Sequence, residues 1–186
     1  MTGVSDEQQI LFAGFGGQGI LSMGKFLTYA AMGVGKNVSW LPAYGAEMRG
    51  GTANCLVTIA EGEIFSPLTE NPGAAIILNR PSLDRFESKI KPNGTLVMNT
   101  SLIDRPPVRQ DLRIFQMPVN RIADEQGSSK LANMILLGAC IQKMNIVALE
   151  QTLGLFELIF AGKKPGVIDK NRKAFLFGVE YAQNNW

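Results

Sequence analysis

Histidine is absent from this 186-residue sequence, and cysteine occurs only twice, as Cys55 and Cys140. Without histidine the chain cannot build a Ser-His-Asp triad, a Cys-His pair or the common histidine-containing zinc sites. Two cysteines far apart in sequence do not indicate a disulfide framework, and they are too few for an iron–sulfur cluster, which usually takes four thiolates. The sequence also lacks paired carboxylates within one motif. We therefore expect no catalytic residue and no metal site on this chain alone.

Charged residues are also sparse, at 18% of the chain against about 25% in typical proteins, and the formal net charge is only +2. No dense run of Lys and Arg points to nucleic acid or to an anionic membrane surface. No apolar run approaches the roughly 20 residues that span a bilayer, and the polar start "MTGVSDEQQ" lacks the pattern of a secretory signal. We expect a cytoplasmic protein, with surface to bury in a subunit interface or in a homodimer of the isolated chain.

The chain is long enough for one full-sized domain, which we expect to span residues 1–186. An apolar strand over Gln9–Gly14 precedes a segment, from Gly19 to about Gly33, whose apolar residues recur at helical spacing. "NVSWLPAY" predicts the next strand, so these elements form a βαβ unit with a right-handed crossover. "TANCLVTIA" and "EIFSPL", separated by "EG", then predict an inserted β-hairpin.

The rest of the sequence continues the strand and helix alternation and then becomes helical. "AAIILN" predicts a buried strand, "SLDRFESKI" a helix with Ser82 as its N-cap, and "GTLVMNT" and "LRIFQMPV" two further strands. Helices follow from Ser128 onward, and we expect Asn133, near the start of the first, to face a loop rather than a ligand. The predicted fold class is α/β and Rossmann-like, a mostly parallel sheet with a β-hairpin insertion and a helical C-terminal part.

Residues Gly14–Gly19, "GFGGQG", which we call the glycine turn, have the G-x-G-x-x-G spacing of a dinucleotide-binding turn between a strand and a helix. Gly14 would permit a tight exit from the strand, Gly16 would let a ligand approach the backbone, and Gly19 would let the helix pack closely on the sheet. Gly17 and Gln18 make the turn denser in glycine and polar groups than packing requires.

The acidic residue that usually binds the ribose of NAD, about 20 residues further on, is missing. No Asp or Glu occurs between Glu7 and Glu47, and the nearest Arg that could serve NADP instead is Arg49. NAD(P) binding is therefore disfavoured. Three uses stay open for the turn: strand–helix packing alone, contact with a phosphate, and contact with another protein's backbone.

A second unusual stretch, "AYGAEMRGGTANC", presents Glu47 and Arg49 beside Gly50 and Gly51. Backbone N–H groups of glycine-rich loops, together with an Arg, can hold a phosphate or a carboxylate. Taken alone, the stretch is more typical of a Glu–Arg pair on a solvated turn. Because this loop follows the second predicted strand, it should emerge at the same carboxyl edge of the sheet as the glycine turn, where α/β proteins bind ligands. We expect the two loops to converge.

Together, "GFGGQGILSMGKFL" and "AYGAEMRGGTANC" resemble the gamma subunit of 2-oxoacid:ferredoxin oxidoreductases, above all the 2-oxoglutarate form. The resemblance continues through "AAIILN", "GTLVMNTS" and "NMILLGA" to the C-terminal helices. It implies an enzyme complex that oxidatively decarboxylates a 2-oxoacid with thiamine diphosphate. Electrons would pass through iron–sulfur clusters to ferredoxin, and the acyl group to coenzyme A.

The resemblance also implies a division of labour in which this chain binds no cofactor alone. Thiamine diphosphate would lie between alpha and beta subunits and the clusters in beta and delta subunits, while the gamma domain packs on them and assists coenzyme A access. The implied surface joins two groups of residues, with Arg49 as its anion contact: Gly14, Gly16, Gly17, Gln18 and Gly19, and Glu47, Arg49, Gly50 and Gly51. A free-standing nucleotide- or NAD(P)-binding protein, and an assembly subunit that touches no ligand, are the alternatives.

Overall fold

A computed structural model describes residues 7–44 and 52–186 of the chain as strands packed between helices. The strands are β1 Gln8–Phe15, β2 Asn37–Tyr44, β3 Thr52–Ala60, β4 Ala74–Ile77, β5 Thr95–Asn99 and β6 Arg113–Met117. The helices are α1 Ile20–Gly33, α2 Arg80–Phe86, α3 Val119–Glu125, α4 Ala132–Met144, α5 Leu149–Gly154, α6 Phe156–Ile159 and α7 Pro165–Asn185.

The strands form a six-stranded sheet in the order β2-β3-β1-β4-β5-β6. β1, β4, β5 and β6 run parallel, whereas β3 pairs antiparallel with both β1 and β2. The predicted α/β class, the mostly parallel sheet and the helical C-terminal part are confirmed. β2 runs in the same direction as β1, as the βαβ prediction requires, but it is not a neighbour of β1 because β3 lies between them.

The predicted hairpin is wrong in its partners. β3 coincides with "TANCLVTIA", but residues 63–68, "EIFSPL", form no strand, and β3 instead makes a hairpin with β2. Pro67 offers no N–H to a sheet ladder, which weakens that segment as a strand. Pro42 is tolerated in β2 because β2 is an edge strand of the described sheet.

Alternate residues of the central strands enter two apolar cores, one on each side of the sheet. The larger core joins β1 residues such as Phe12 to α1, α4 and α7. The smaller one joins Leu11 and Ala13 to α2, Ile103 and Leu112. Because β1 and β4 are buried on both faces, their sequences read as unbroken apolar runs, which is typical of parallel strands.

Asn79, not Ser82, caps α2. The Asn79 side-chain oxygen accepts a hydrogen bond from the Ser82 backbone N–H at 2.9 Å, and Pro81 occupies the first turn. Asn79 lies in the extended conformation at the end of the β4 segment, where an N-cap residue belongs. The helix therefore begins at Arg80, three residues earlier than a cap at Ser82 would allow.

Glu87 anchors the proline-rich loop of residues 104–111 on this side of the sheet. Its buried carboxylate accepts hydrogen bonds from the backbone N–H groups of Val108 and Arg109, the latter at 2.8 Å. It also pairs with Arg105 at 3.1 Å, and Arg105 in turn binds Asp84 of α2. One carboxylate thus fixes a loop that has no regular structure of its own.

The C-terminal region is helical as predicted, and its longest helices, α4 and α7, pack against each other over most of the length of α4. None of the helices in the described ranges combines the length and the apolar character needed to cross a bilayer. Both cysteines are free and buried, Cys55 in β3 and Cys140 in α4. Cys55 is thus a small residue of the larger core.

A candidate anion-binding cleft at the carboxyl edge of the sheet

The glycine turn lies where the chain changes direction across the sheet. From β1 the chain passes through α1 to β2 and β3 on one side, and then returns to β4 on the other side of β1. The carboxyl ends of β1 and β4 are neighbours, and the Leu78 N–H after β4 donates to the Ala13 carbonyl of β1 at 2.9 Å. Such a switch point is where open α/β sheets form their ligand crevice.

Gly14 lies within β1 and does not supply the tight exit that the spacing suggests. A Cβ atom on Gly14 would lie 2.6 Å from Gln18 Oε1 and 2.7 Å from Ile20 Cδ1. The glycine therefore leaves room for the side chains that fold back over the strand. The exit from the strand is instead closed by Gln18, whose backbone N–H donates to the Phe15 carbonyl at 3.2 Å.

Gly17 and Gly19 both have positive φ, at 93° and 78°. No atom of residues 7–44 or 52–186 lies within 4 Å of a Cβ placed on Gly17, so within this part of the chain the turn presents a surface without side chains. A Cβ on Gly19 would lie 2.4 Å from the Asn133 amide nitrogen. Gly19 thus admits close approach of Asn133, next to the start of α4, rather than packing of α1 on the sheet. Asn133 thus faces the glycine turn, which is a loop, and it also lines the cleft described below.

The turn carries free hydrogen-bond donors. No hydrogen bond formed within residues 7–44 and 52–186 engages the backbone N–H groups of Gly16, Gly17 or Gly19. α1 begins directly after the turn, and α4 begins beside it after a 3-10 turn at Ser129–Leu131. The positive ends of both helix dipoles therefore meet at this edge, which favours a negatively charged ligand.

Between the turn and the start of α4 lies a cleft of about 280 Å³, which we call the carboxyl-edge cleft. It is lined by Gly17, Gln18, Gly19, Leu78, Asn120, Ser129, Lys130, Ala132 and Asn133. Among these lining residues Lys130 is the only charged one, and none is acidic. Amide, hydroxyl and ammonium donors around an opening with no carboxylate suit a phosphate or another anion.

Asn99 of β5 and Asn120 of α3 brace one wall of the cleft. The buried Asn99, at the end of β5, donates from Nδ2 to the Leu78 carbonyl at 3.1 Å and to Asn120 Oδ1 at 2.7 Å. Asn120 is therefore held in place with its amide oxygen already used. Deeper in the fold, the buried Asn79 Nδ2 has no hydrogen-bond partner among the described residues.

Glu47, Arg49, Gly50 and Gly51 lie outside the described residues. The residues that bracket their loop are in register with the turn, since Tyr44 of β2 pairs with Ala53 of β3, and Ala53 pairs with Gly14. The loop therefore leaves and rejoins the sheet at the same edge as the glycine turn, as predicted. Convergence of the two loops stays a prediction.

Three polar lining residues were not among the sequence candidates: Asn120, Ser129 and Lys130. They lie more than 100 residues after the turn, and no local pattern connects them to it. "SSK" before an apolar helix does indicate a helix start. Only the topology brings that helix start to the glycine turn.

A larger groove of about 730 Å³ lies over β2 and β3, on the side of the sheet that carries the smaller core. Its floor is apolar, with Leu11, Leu41 and Leu56, and Leu68 lies at its border. Its charged groups, Glu70 and Lys89, have opposite signs. It therefore does not concentrate charge of one sign, and the smaller polar cleft is the better candidate for an anion.

Residues 9–181 match the family described as pyruvate ferredoxin/flavodoxin oxidoreductase. The ketoisovalerate oxidoreductase subunit VorA of Methanothermobacter marburgensis is 36% identical over 181 residues, which are 96% of this chain but 37% of that protein. The chain thus spans little more than a third of this relative. The 2-oxoglutarate synthase subunit KorC of Methanocaldococcus jannaschii is 30% identical over 97% of this chain and 96% of its own length.

Two solved structures share the fold over nearly the whole chain. The 2-oxoglutarate:ferredoxin oxidoreductase of Magnetococcus marinus, solved with 2-oxoglutarate, coenzyme A and succinyl-CoA bound, superposes with a TM-score of 0.87 and 25% identity. The match covers 97% of this chain and 32% of that one. The gamma subunit of the keto/oxoacid ferredoxin oxidoreductase of Geobacter sulfurreducens superposes with a TM-score of 0.80 and 26% sequence identity. This match covers 95% of this chain and 99% of that one.

Proposed function

Because the chain belongs to the pyruvate ferredoxin/flavodoxin oxidoreductase family, we propose that it is the gamma subunit of a 2-oxoacid:ferredoxin oxidoreductase. The complex would convert a 2-oxoacid, coenzyme A and oxidised ferredoxin into acyl-CoA, carbon dioxide and reduced ferredoxin. We propose 2-oxoglutarate as its substrate, supported by the match to KorC over nearly both full lengths and by the Magnetococcus structure. Residues 1–186 would form one gamma-type domain, working in the cytoplasm.

The chemistry would reside on partner subunits. Two buried cysteines, in β3 and α4, do not provide the four thiolates of a cluster. Thiamine diphosphate and the iron–sulfur clusters would therefore be held by alpha, beta and delta chains, and ferredoxin would meet the complex there. VorA supports a tightly associated partner, because in that protein the matching segment is joined to further chain.

The contribution of this chain, we propose, is to hold a phosphate of coenzyme A in the carboxyl-edge cleft. The observation that carries this proposal is the meeting of two helix N-termini and Lys130 with N–H groups of the glycine turn that have no partner among the described residues, around an opening whose described lining contains no acid. Arg49, in the loop that returns to the same edge, would add a second cation. The turn and that loop would also form part of the surface that docks on the catalytic subunits.

Substitutions Lys130→Gln and Arg49→Ala test this assignment in the complex assembled with its partner subunits. Each should raise the KM for coenzyme A about three- to tenfold, the range expected when one exposed ionic contact is lost. Decarboxylation of the 2-oxoacid in the absence of coenzyme A should change little. Lys163→Gln serves as the control, because Lys163 is exposed and does not line the cleft. Normal assembly with an unchanged KM in both variants would overturn the assignment.

A free-standing NAD(P)-binding protein is the alternative, and the topology disfavours it. β3, not β2, adjoins β1, so the carboxyl end of β2 lies one strand further from the turn than the usual position of a ribose-binding acid. Isothermal titration of the purified chain with coenzyme A and with NADPH compares the two. Tight NADPH binding, together with a KM for coenzyme A that does not respond to the variants, would favour the alternative.

A further inference from the structure

Gln18 closes the glycine turn through both its side chain and its backbone. Its side-chain Oε1 accepts a hydrogen bond from the Phe15 N–H at 2.6 Å, and its backbone N–H donates to the Phe15 carbonyl at 3.2 Å. Two hydrogen bonds to one residue define a tight loop of Phe15, Gly16, Gly17 and Gln18. The side chain is therefore part of the architecture of the turn.

The sequence provides room for this side chain at Gly14. Gln18 Oε1 lies 2.6 Å from the position that a Cβ of Gly14 would take, and no real Cβ tolerates an atom that close. Any other residue at position 14 would push the carboxamide out of the turn. The first glycine of the motif thus serves Gln18 rather than a ligand phosphate.

The hydrogen bond from Phe15 also determines which atom of the Gln18 carboxamide remains available to a ligand. With Oε1 used, the amide nitrogen Nε2 is the remaining polar atom, and it has no hydrogen-bond partner within the described residues. Gln18 lines the carboxyl-edge cleft together with Lys130 and Asn133. An NH₂ group in a cleft whose described lining has no acid is suited to an anionic oxygen.

We propose that Gln18 determines the specificity of the cleft for an anion by donating from Nε2 to a phosphate oxygen of coenzyme A, while Oε1 holds the turn closed. This inference rests on the proposed function of the cleft. Among side chains of this length, only glutamine combines the acceptor that Phe15 needs with the donor that an anion needs. Glutamate keeps the acceptor but brings a negative charge, and methionine offers neither a donor nor a strong acceptor.

The test compares Gln18→Glu and Gln18→Met in the complex assembled with partner subunits, with coenzyme A as the varied substrate. In Gln18→Glu the turn stays closed, and loss of the donor together with charge repulsion should raise the KM tenfold to a hundredfold, roughly the effect of one charge-assisted hydrogen bond. The effect should fall on KM far more than on kcat. Gln18→Met should raise the KM and also speed amide hydrogen exchange at Phe15, which Gln18→Glu should not.

Gln151→Glu is the matched control, since Gln151 is exposed on α5 and does not line the cleft. A raised KM in Gln18→Met with a normal KM in Gln18→Glu would mean that Gln18 only closes the turn, and would overturn the inference. If Lys130→Gln raises the KM and Gln18→Glu does not, the inference fails while the proposed function stands. If neither variant changes the KM, the assignment of coenzyme A to the cleft fails, and the inference fails with it.

Discussion

The backbones of α4 and α7 are in direct contact at two glycines. A Cβ on Gly178 of α7 would lie 1.8 Å from the Ile135 carbonyl oxygen of α4, and a Cβ on Gly138 of α4 would lie 2.0 Å from the Phe175 carbonyl oxygen. Both neighbours are backbone atoms, so no change of rotamer can relieve the clash. This crossing fixes α4, whose first turn forms one side of the carboxyl-edge cleft.

Gly178→Ala should therefore destabilise the chain strongly. The helices would have to separate by roughly 1.5 Å to restore ordinary contact distances, which opens gaps around buried side chains such as Phe175. Overpacking of a core costs about 1–3 kcal/mol, and a backbone clash falls at the upper end or above it. Alanine has a higher helix propensity than glycine, which offsets at most about 1 kcal/mol of this loss. We expect a net loss of about 2–4 kcal/mol, or roughly 5–15 °C in Tm for a chain of this size.

Thermal denaturation of the purified variant measures this loss, and α7 supplies its own control. Gly166, also in α7, has no atom within 4 Å of an added Cβ, so Gly166→Ala should leave the Tm unchanged or raise it slightly. Equal melting temperatures for Gly178→Ala and Gly166→Ala would refute the close helix crossing.

Two further predictions concern buried groups away from the cleft. Burial raises the pKa of Cys55 to about 11, and complete burial raises the pKa of Cys140 as well. Iodoacetamide at pH 8 should therefore label neither thiol in the native chain, whereas it should label both thiols in denaturant. The stability contributed by the neutral Cys55 thiol should fall as the pH rises from about 9 towards about 11, and rapid native labelling would contradict the buried placement. Glu87→Gln should cost about 1–3 kcal/mol and speed amide exchange at Val108 and Arg109, whereas Glu61→Gln, at an exposed residue, should do neither.

Most of the fold follows from local patterns in the sequence. The unbroken apolar run "AAIILN" is typical of a strand buried on both faces, and β4 is buried on both faces. The helical spacing after Gly19 predicts α1 with the correct start and end. These elements succeed because the periodicity of burial is a property of the segment itself.

The errors arise where pairing or capping depends on a choice between neighbouring signals. "EG" after β3 resembles a tight hairpin turn. However, β3 pairs with the preceding strand, β2, across the seven residues that separate Tyr44 from Thr52. The signal that could have corrected this was Pro67, which weakens "EIFSPL" as a strand. At α2, Ser82 and Asn79 are both good N-caps, and the extended conformation of Asn79 at the strand end decides between them.

Only part of the candidate site could be predicted from the sequence, because its residues lie far apart along the chain. The glycine turn is a local motif, so its residues could be named, but Lys130, Ser129 and Asn120 reach it only through the order of β1, β4, β5 and β6. Even within the motif the roles of two glycines changed. Spacing identifies Gly14 and Gly19, whereas the side chains of Gln18 and Asn133 explain why each must be glycine.

The antiparallel strand β3 explains how a dinucleotide-like turn can serve another ligand. In a sheet with β2 beside β1, the carboxyl end of β2 would present a ribose-binding acid next to the glycine turn. Here β3 occupies the place beside β1, and the chain between β2 and β3 carries both Glu47 and Arg49. On the other side of the turn lie Lys130, in the 3-10 turn before α4, and Asn133 of α4, rather than a second nucleotide-binding half. Among the described residues, the cleft beside the turn is lined by hydrogen-bond donors and Lys130 and by no acid, a lining that suits the phosphate group we propose for it.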